Sequence, residues 1–279
     1  MSSRKMIVRC CAAAWKAVPK PSTPKQIVFV GPPQSGKTVF FAAMIDRLIR
    51  QSTEGRSPLL LHAANRESCN FVTDVMVGLA KQVWPREGGA KETHGTLEYH
   101  LQRKICGIRT SRILRCCDYA GEAFQGAFGD PKHRTVDVSA DLVAKLREDI
   151  NSASGVFYVM DAVQLHDGGC RVTQDCLFGL TDELLRQRKK VGIIFTKRDV
   201  FDGTRFTPRE KLREEYPDAW TKLTAMRARC FFVSSVGATE VNDAGVQVPR
   251  KGCKSRDAKW LLQPINWMLG IGGKDSDQD

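Results

Sequence analysis

Gly31, Pro32, Pro33, Gln34, Ser35, Gly36, Lys37 and Thr38 spell G-x-x-x-x-G-K-[ST], a spacing whose chemistry is the holding of phosphate. Phosphate oxygens need several donors close together. Glycines let consecutive backbone N–H groups curl toward one point, and a helix starting just behind them adds the positive end of its dipole. Lys37 brings a compact cation to the outer phosphates of a triphosphate. The Thr38 hydroxyl is a hard oxygen of the kind Mg²⁺ takes. The motif reads as a nucleoside triphosphate site and leaves the base open.

Three later motifs bear on the base and on the terminal phosphate. Asp118-Tyr119-Ala120-Gly121 is a D-x-x-G tetrad that follows a stretch read as a strand, Arg112 to Cys117. There Asp118 would hold Mg²⁺ through water, and the Gly121 N–H would meet the γ-phosphate. Thr196-Lys197-Arg198-Asp199 follows the run Val191 to Phe195 and resembles the guanine-reading N-K-x-D motif, with threonine in place of asparagine. A carboxylate such as that of Asp199 can accept from guanine N1–H and from the 2-amino group, a donor pair that adenine lacks. Ser234-Ser235-Val236 follows Cys230 to Val233 and resembles the S-A-x motif whose backbone N–H reads guanine O6. Asp161, which closes the run Val156 to Met160, is expected to serve as a loop cap, with a role near the nucleotide as the alternative. The five histidines show no ligand spacing, so no metal beyond Mg²⁺ is implied.

In this order, each at a strand end, the motifs resemble those of a P-loop GTPase of the Ras-like, translation-factor-related (TRAFAC) class. The long segment between phosphate loop and D-x-x-G, the Asp118-Tyr119-Ala120-Gly121-Glu122 form and the Thr196-Lys197-x-Asp199 form are similar to those of the bacterial double-GTPase and conflict-system GTPase families. The resemblance covers about residues 26–269. It implies GTP and GDP as ligands with Mg²⁺, hydrolysis of GTP to GDP and phosphate, and switch action on a protein effector or activator in a bacterial conflict or regulatory system. It also implies a switch threonine before the D-x-x-G as a second Mg²⁺ ligand. Thr96, 22 residues before Asp118, is chosen, with Thr93 next. Lys37, Thr96, Gly121 and Glu122 are then the residues at the reacting phosphate. Glu122 departs from the class, which usually has glutamine there. An ionised glutamate accepts from water but cannot donate to the phosphoryl group, so hydrolysis is expected to be slow without a partner. Two other readings stand beside the switch. One is a nucleotide-dependent assembly or scaffold module with little hydrolysis. The other is a P-loop ATPase or kinase in which T-K-x-D is accidental.

The elements that must position these residues alternate in type. Ile27 to Val30 reads as a buried strand and Lys37 to Arg50 as a helix. Leu59 to His62 reads as a short strand and Glu67 to Trp84 as a helix. Leu97 to Lys104 and Arg112 to Cys117 read as paired strands. Helices are expected over Ser139–Ser152, Gln174–Lys189, Pro208–Met226 and Asp257–Leu269, with strands at Val156–Met160, Val191–Phe195 and Cys230–Val233. Residues 237–255, rich in Gly, Lys and Arg, read as a mobile loop. Trp84, Trp260 and Trp267 fall at apolar helical positions and are expected to pack. The alternation predicts an α/β, three-layer P-loop NTPase fold: a mostly parallel sheet, helices on both faces and one antiparallel edge strand. Ligands in such sheets bind beyond the carboxyl ends of the strands, where the motifs fall. The chain divides into a basic segment with a Pro-rich linker at 1–25, a nucleotide-binding domain at 26–269 with insertions near 51–95 and 237–255, and a polar tail at 270–279.

Composition narrows the class. The 279 residues are 42% hydrophobic and 27% charged, ordinary for a globular chain. No apolar run is long enough to span a bilayer. Lys and Arg number 43 against 31 Asp and Glu, a net +12, and residues 1–25 hold basic residues and no acid. That balance suits a phosphate-bearing ligand, and for the N-terminus an anionic surface. The ten cysteines form no C-x-x-C pair and read as thiols of a reducing, cytoplasmic compartment.

Overall fold

The computed structural model describes residues 25–55, 59–85, 97–105, 108–116, 121–130, 139–169, 171–254, 258 and 260–270. Seven strands form one sheet: β1 (Lys25–Val30), β2 (Leu59–Ala63), β3 (Leu97–Ile105), β4 (Ile108–Cys116), β5 (Gly155–Asp161), β6 (Lys190–Thr196) and β7 (Arg229–Phe232). Their order across the sheet is β2-β3-β4-β1-β5-β6-β7. From β4 through β7 every neighbour is parallel, with Val28 opposite Val156 and Met160 opposite Phe195. β3 is antiparallel both to β4 and to β2, so among the described strands the reversed one lies second from the edge and the edge strand β2 points the same way as β4.

The interiors of the central strands, Ile27–Val30, Val156–Met160 and Val191–Phe195, carry no charged residue because both faces of the sheet are covered. On one face Ile27, Phe29, Phe157, Val159 and Ile194 pack against α1 (Lys37–Thr53), α2 (Arg66–Ala80) and α9 (Gln263–Leu269). On the other, Val28, Val30, Val156, Tyr158, Met160, Ile193 and Phe195 meet α3 (Gly121–Phe128), α4 (Ala140–Ser152), α5 (Ala162–His166) and α6 (Arg171–Gln187). Leu212 of α7 (Pro208–Glu215) and Leu223 of α8 (Pro217–Ala225) complete that layer. This is the α/β P-loop NTPase fold in three layers. Among the described residues, no helix is long and apolar enough to cross a membrane.

Five expectations are corrected. The helix expected over 208–226 is two helices, broken where Tyr216 takes φ −132° ahead of Pro217, because a residue before proline avoids the helical region. The stretch 237–255 holds a two-stranded hairpin, β8 (Thr239–Val241) with β9 (Gln247–Pro249). It is tied to the end of α2 by Gln82 Nε2 on Glu240 Oε1 at 2.5 Å and by the Trp84 indole N–H on the Gln247 carbonyl at 2.9 Å. Trp84 therefore lies beyond its helix, which ends at Ala80, and is exposed. The last helix begins at Gln263 and not near residue 257. Trp260 precedes it at φ +56°, an exposed ring under the Arg198 guanidinium. Trp267 does pack, against Phe157 and Phe231.

Candidate functional site

The carboxyl ends of β1, β5, β6 and β7 lie in a row, and the motifs leave from three of them. After β1 the chain turns through Gly31 at φ +158°, Gln34 at +58° and Gly36 at +81° before entering α1. A Cβ on Gly31 would lie 2.2 Å from the Val159 carbonyl oxygen of β5. The loop can pass this close to the strand only without a side chain. Gly36 is the N-cap of α1 and offers no side-chain cap, and the first turn holds no acidic residue. Neither a capping side chain nor a carboxylate competes there for an incoming anion.

Lys37 is buried, and its Nζ donates to the carbonyls of Gly31 at 2.9 Å and Pro32 at 2.7 Å. The cation is thus folded back inside the ring of its own loop. Ser35 Oγ and Ser235 Oγ are buried hydroxyls with no hydrogen-bond partner among the described residues, one in the phosphate loop and one in the loop after β7. Unpaired buried hydroxyls are costly, and a polar ligand lying between these loops would relieve them. The donor set fits a nucleotide phosphate chain, with the Thr38 hydroxyl at the helix start as the hard oxygen that would hold Mg²⁺.

The end of β6 ties this loop to the residues expected to read the base. Thr196 is buried, and its Oγ1 donates to the Ser35 carbonyl at 2.8 Å and sits 3.3 Å from the Met160 carbonyl. A hydroxyl therefore does the cross-loop work here at the position where the motif usually has an amide. Lys197 follows at φ +62°, and the Arg198 N–H donates to the Val233 carbonyl at 3.1 Å. Asp199 Oδ1 accepts the Ser234 hydroxyl at 2.7 Å, and Ser234 Oγ accepts the Gly237 N–H at 2.9 Å. Val236 is buried, and its carbonyl accepts the Cys253 thiol at 3.3 Å. The carboxylate of Asp199 is thus held in one orientation by Ser234.

The structure brings together Gly31, Pro32, Pro33, Gln34, Ser35, Gly36, Lys37, Thr38, Thr196, Lys197, Asp199, Ser234, Ser235 and Val236. Gly121 and Glu122 open α3, while the side chain of Glu122 and the whole of Asp118, Thr96 and Thr93 lie outside the described residues. Asp161 caps α5 as expected, its Oδ1 accepting the Val163 N–H at 2.8 Å. The sequence reading missed its second contact, to Lys197 Nζ at 2.5 Å. It also missed Arg198, stacked 3.7 Å from the centre of the Trp260 ring. Burial pushes the Cys230 thiol up to about 11, so this cysteine of β7 stays protonated and packs in the sheet.

Two solved structures share features of this fold. The G domain of the T. maritima FeoB iron transporter is 17% identical over 77% of this chain and 89% of that one, with a TM-score of 0.36. The bacterial selenocysteine-specific elongation factor EF-Sec is 15% identical over 90% of this chain and 29% of that longer one, with a TM-score of 0.39. Neither a protein-family model nor a curated protein matches the chain. At these identities and TM-scores the two likenesses do not carry a functional reading, which rests on the residues of the site.

Proposed function

We propose that this chain, through residues 26–269, binds GTP with Mg²⁺ and hydrolyses it to GDP and phosphate, acting as a nucleotide-controlled switch. The observation that carries the reading is the link between the two halves of the site: Thr196 reaches the phosphate loop, and Asp199, three residues on, is held by Ser234 of the next strand end. The phosphate cradle serves any nucleotide, whereas an oriented carboxylate acceptor suits the donor pair of guanine, which adenine lacks.

Each residue has a task in this reading. Gly31, Gly36 and the first turn of α1 offer backbone N–H groups to the phosphates, and Lys37 adds its charge. Thr38 would hold Mg²⁺ directly, with Thr96, and with Asp118 through water. The metal, when bound, supplies positive charge against the charge of the phosphates. Asp199 accepts from the guanine N1–H and 2-amino groups, and the loop from Ser234 to Val236 offers its N–H groups to O6. The Gly121 N–H would sense the γ-phosphate, and Glu122 would meet the attacking water as an acceptor only. Catalysis in such a site is positioning and charge stabilisation, and an acceptor in place of an amide leaves part of that stabilisation to a protein partner. The motif resemblance supports a bacterial conflict or regulatory setting, and the basic residues at 1–25 supply a contact for an anionic surface.

Multiple-turnover phosphate release in the presence of Mg²⁺ tests the reading. GTP should be turned over slowly and ATP not at all. Turnover of ATP at an equal rate would refute it, and GTP bound without turnover would leave the assembly-module reading in its place.

A further inference from the structure

The end of the sheet opposite the motifs carries charge that nucleotide binding leaves unused. β5, β6 and β7 start there side by side, with Gly155 opposite Lys190 and Gly192 opposite Arg229. The chain reaches β6 and β7 through two neighbouring loops built alike. α6 closes with the Arg188 N–H on the Leu185 carbonyl and the Lys189 N–H on that of Leu184. α8 closes with the Arg227 N–H on the Thr224 carbonyl and the Ala228 N–H on that of Leu223. In each loop the arginine takes the left-handed conformation, φ +52° at Arg188 and +54° at Arg227, where glycine or asparagine is the usual choice. Both arginines are exposed, and neither guanidinium meets an acid among the described residues.

Further cations share this end. Arg186 is exposed and pairs with Glu183 one turn back. Lys189 Nζ donates to the Asn151 and Ala153 carbonyls at 2.5 Å each, and Lys190 Nζ to that of Trp267 at 2.6 Å. Arg229 is close enough to act on Lys190: burial first, and then this like charge, lower the lysine's pKa. Glu54 is the one acid in the described loops at this end. Residues 1–24, with Arg4, Lys5, Arg9, Lys16 and Lys20 and no acid, join the sheet here too, at Lys25, the first residue of β1. We propose that this end of the molecule, through Arg186, Arg188, Lys189, Lys190, Arg227 and Arg229, docks on an anionic lipid bilayer. Cations spread over adjacent loops at one level suit a broad anionic plane, and Leu185, 38% exposed among them, adds an apolar contact. Nucleic acid fits less well, because the exposed aromatic rings of the described residues, Trp84, Phe178 and Trp260, on which bases could stack, lie away from this end. The nucleotide motifs leave the carboxyl ends of the strands, so a docked chain keeps that site open to solution. The inference does not depend on guanine recognition.

The test is co-sedimentation of the full chain with vesicles of phosphatidylcholine containing phosphatidylserine, and with vesicles of phosphatidylcholine alone. The chain should bind the first and not the second, and should come off at about 1 M salt, where screening shortens to about 3 Å. Arg188→Asn/Arg227→Asn should weaken binding by roughly 25-fold, about fivefold for each charge removed. Its Tm should stay level, because asparagine tolerates left-handed backbone. Arg188→Lys/Arg227→Lys keeps both charges and should bind as wild type does, since a bilayer reads charge and not the guanidinium fork. Equal binding to neutral vesicles would overturn the proposal. So would an asparagine variant that binds as wild type, which would leave residues 1–24 as the sole contact. Should the asparagine variant melt early, Arg186→Gln on the exposed side of α6 decides: a loss of about fivefold supports the proposal, and no loss overturns it. A chain that binds an oligonucleotide duplex and no vesicle would overturn it as well, and would assign the charged end to nucleic acid.

Discussion

Asp199→Asn should exchange the base that the chain prefers. Ser234 gives its hydroxyl proton to Asp199 Oδ1 and accepts from Gly237, so this end of the side chain is set. Asparagine will keep its carbonyl toward Ser234 and turn its amide toward the base. One hydrogen bond to guanine then becomes a donor facing a donor, and the other loses its charge assistance. Together these cost about 3–5 kcal/mol, a weakening of GDP by roughly 10²–10⁴. Xanthine carries an oxygen where guanine has the 2-amino group, so XDP should gain what GDP loses. Calorimetric titration with GDP, XDP and ADP reads all three. Thermal melts of the two proteins should agree, because Asp199 is only partly buried. GDP affinity within about threefold of wild type, under 1 kcal/mol, would mean that Asp199 is a surface turn residue and that the site is a generic triphosphate site.

Three further outcomes follow from the site. Lys37→Ala removes the cation held on the Gly31 and Pro32 carbonyls and should weaken GTP by about 1.5–3 kcal/mol or more while sparing guanosine, as competition binding will read. Gly31→Ala puts a Cβ 2.2 Å from the Val159 oxygen. The forced backbone shift should cost about 1–3 kcal/mol of stability, a fall of roughly 2–4 °C in Tm for each kcal/mol, and abolish tight GDP binding. Glu122→Gln should leave single-turnover hydrolysis level or raise it; a loss beyond about tenfold, 1.4 kcal/mol of barrier, would make Glu122 itself the group that positions water.

The strands and the phosphate loop were legible because local pattern and tertiary role agree. Ile27 to Val30 and Val156 to Met160 are apolar throughout, and the glycines of the loop are required by its own turns. The hairpin β8–β9 was not legible. Its strands are three residues each, and what ties them in place, Gln82 and Trp84, lies about 160 residues away in sequence. The break at Tyr216–Pro217 could have been read from the proline alone. The cap formed by Asp161 was read correctly from its place at a strand end. Its pairing with Lys197 was hidden, because register between β5 and β6 is a property of the sheet and not of either segment. Thr196 shows a motif departure explained by geometry: a short hydroxyl reaches the Ser35 carbonyl at 2.8 Å, and the side chain packs beside Gly36.

The central claim is guanine selectivity at a phosphate loop, and an equilibrium titration of the wild-type chain with GTP and with ATP, both with Mg²⁺, tests it most directly. The oriented carboxylate of Asp199 predicts that GTP binds more tightly than ATP by at least about a hundredfold, the size of discrimination that paired buried donors and acceptors supply. Equal affinity for the two nucleotides would contradict the account.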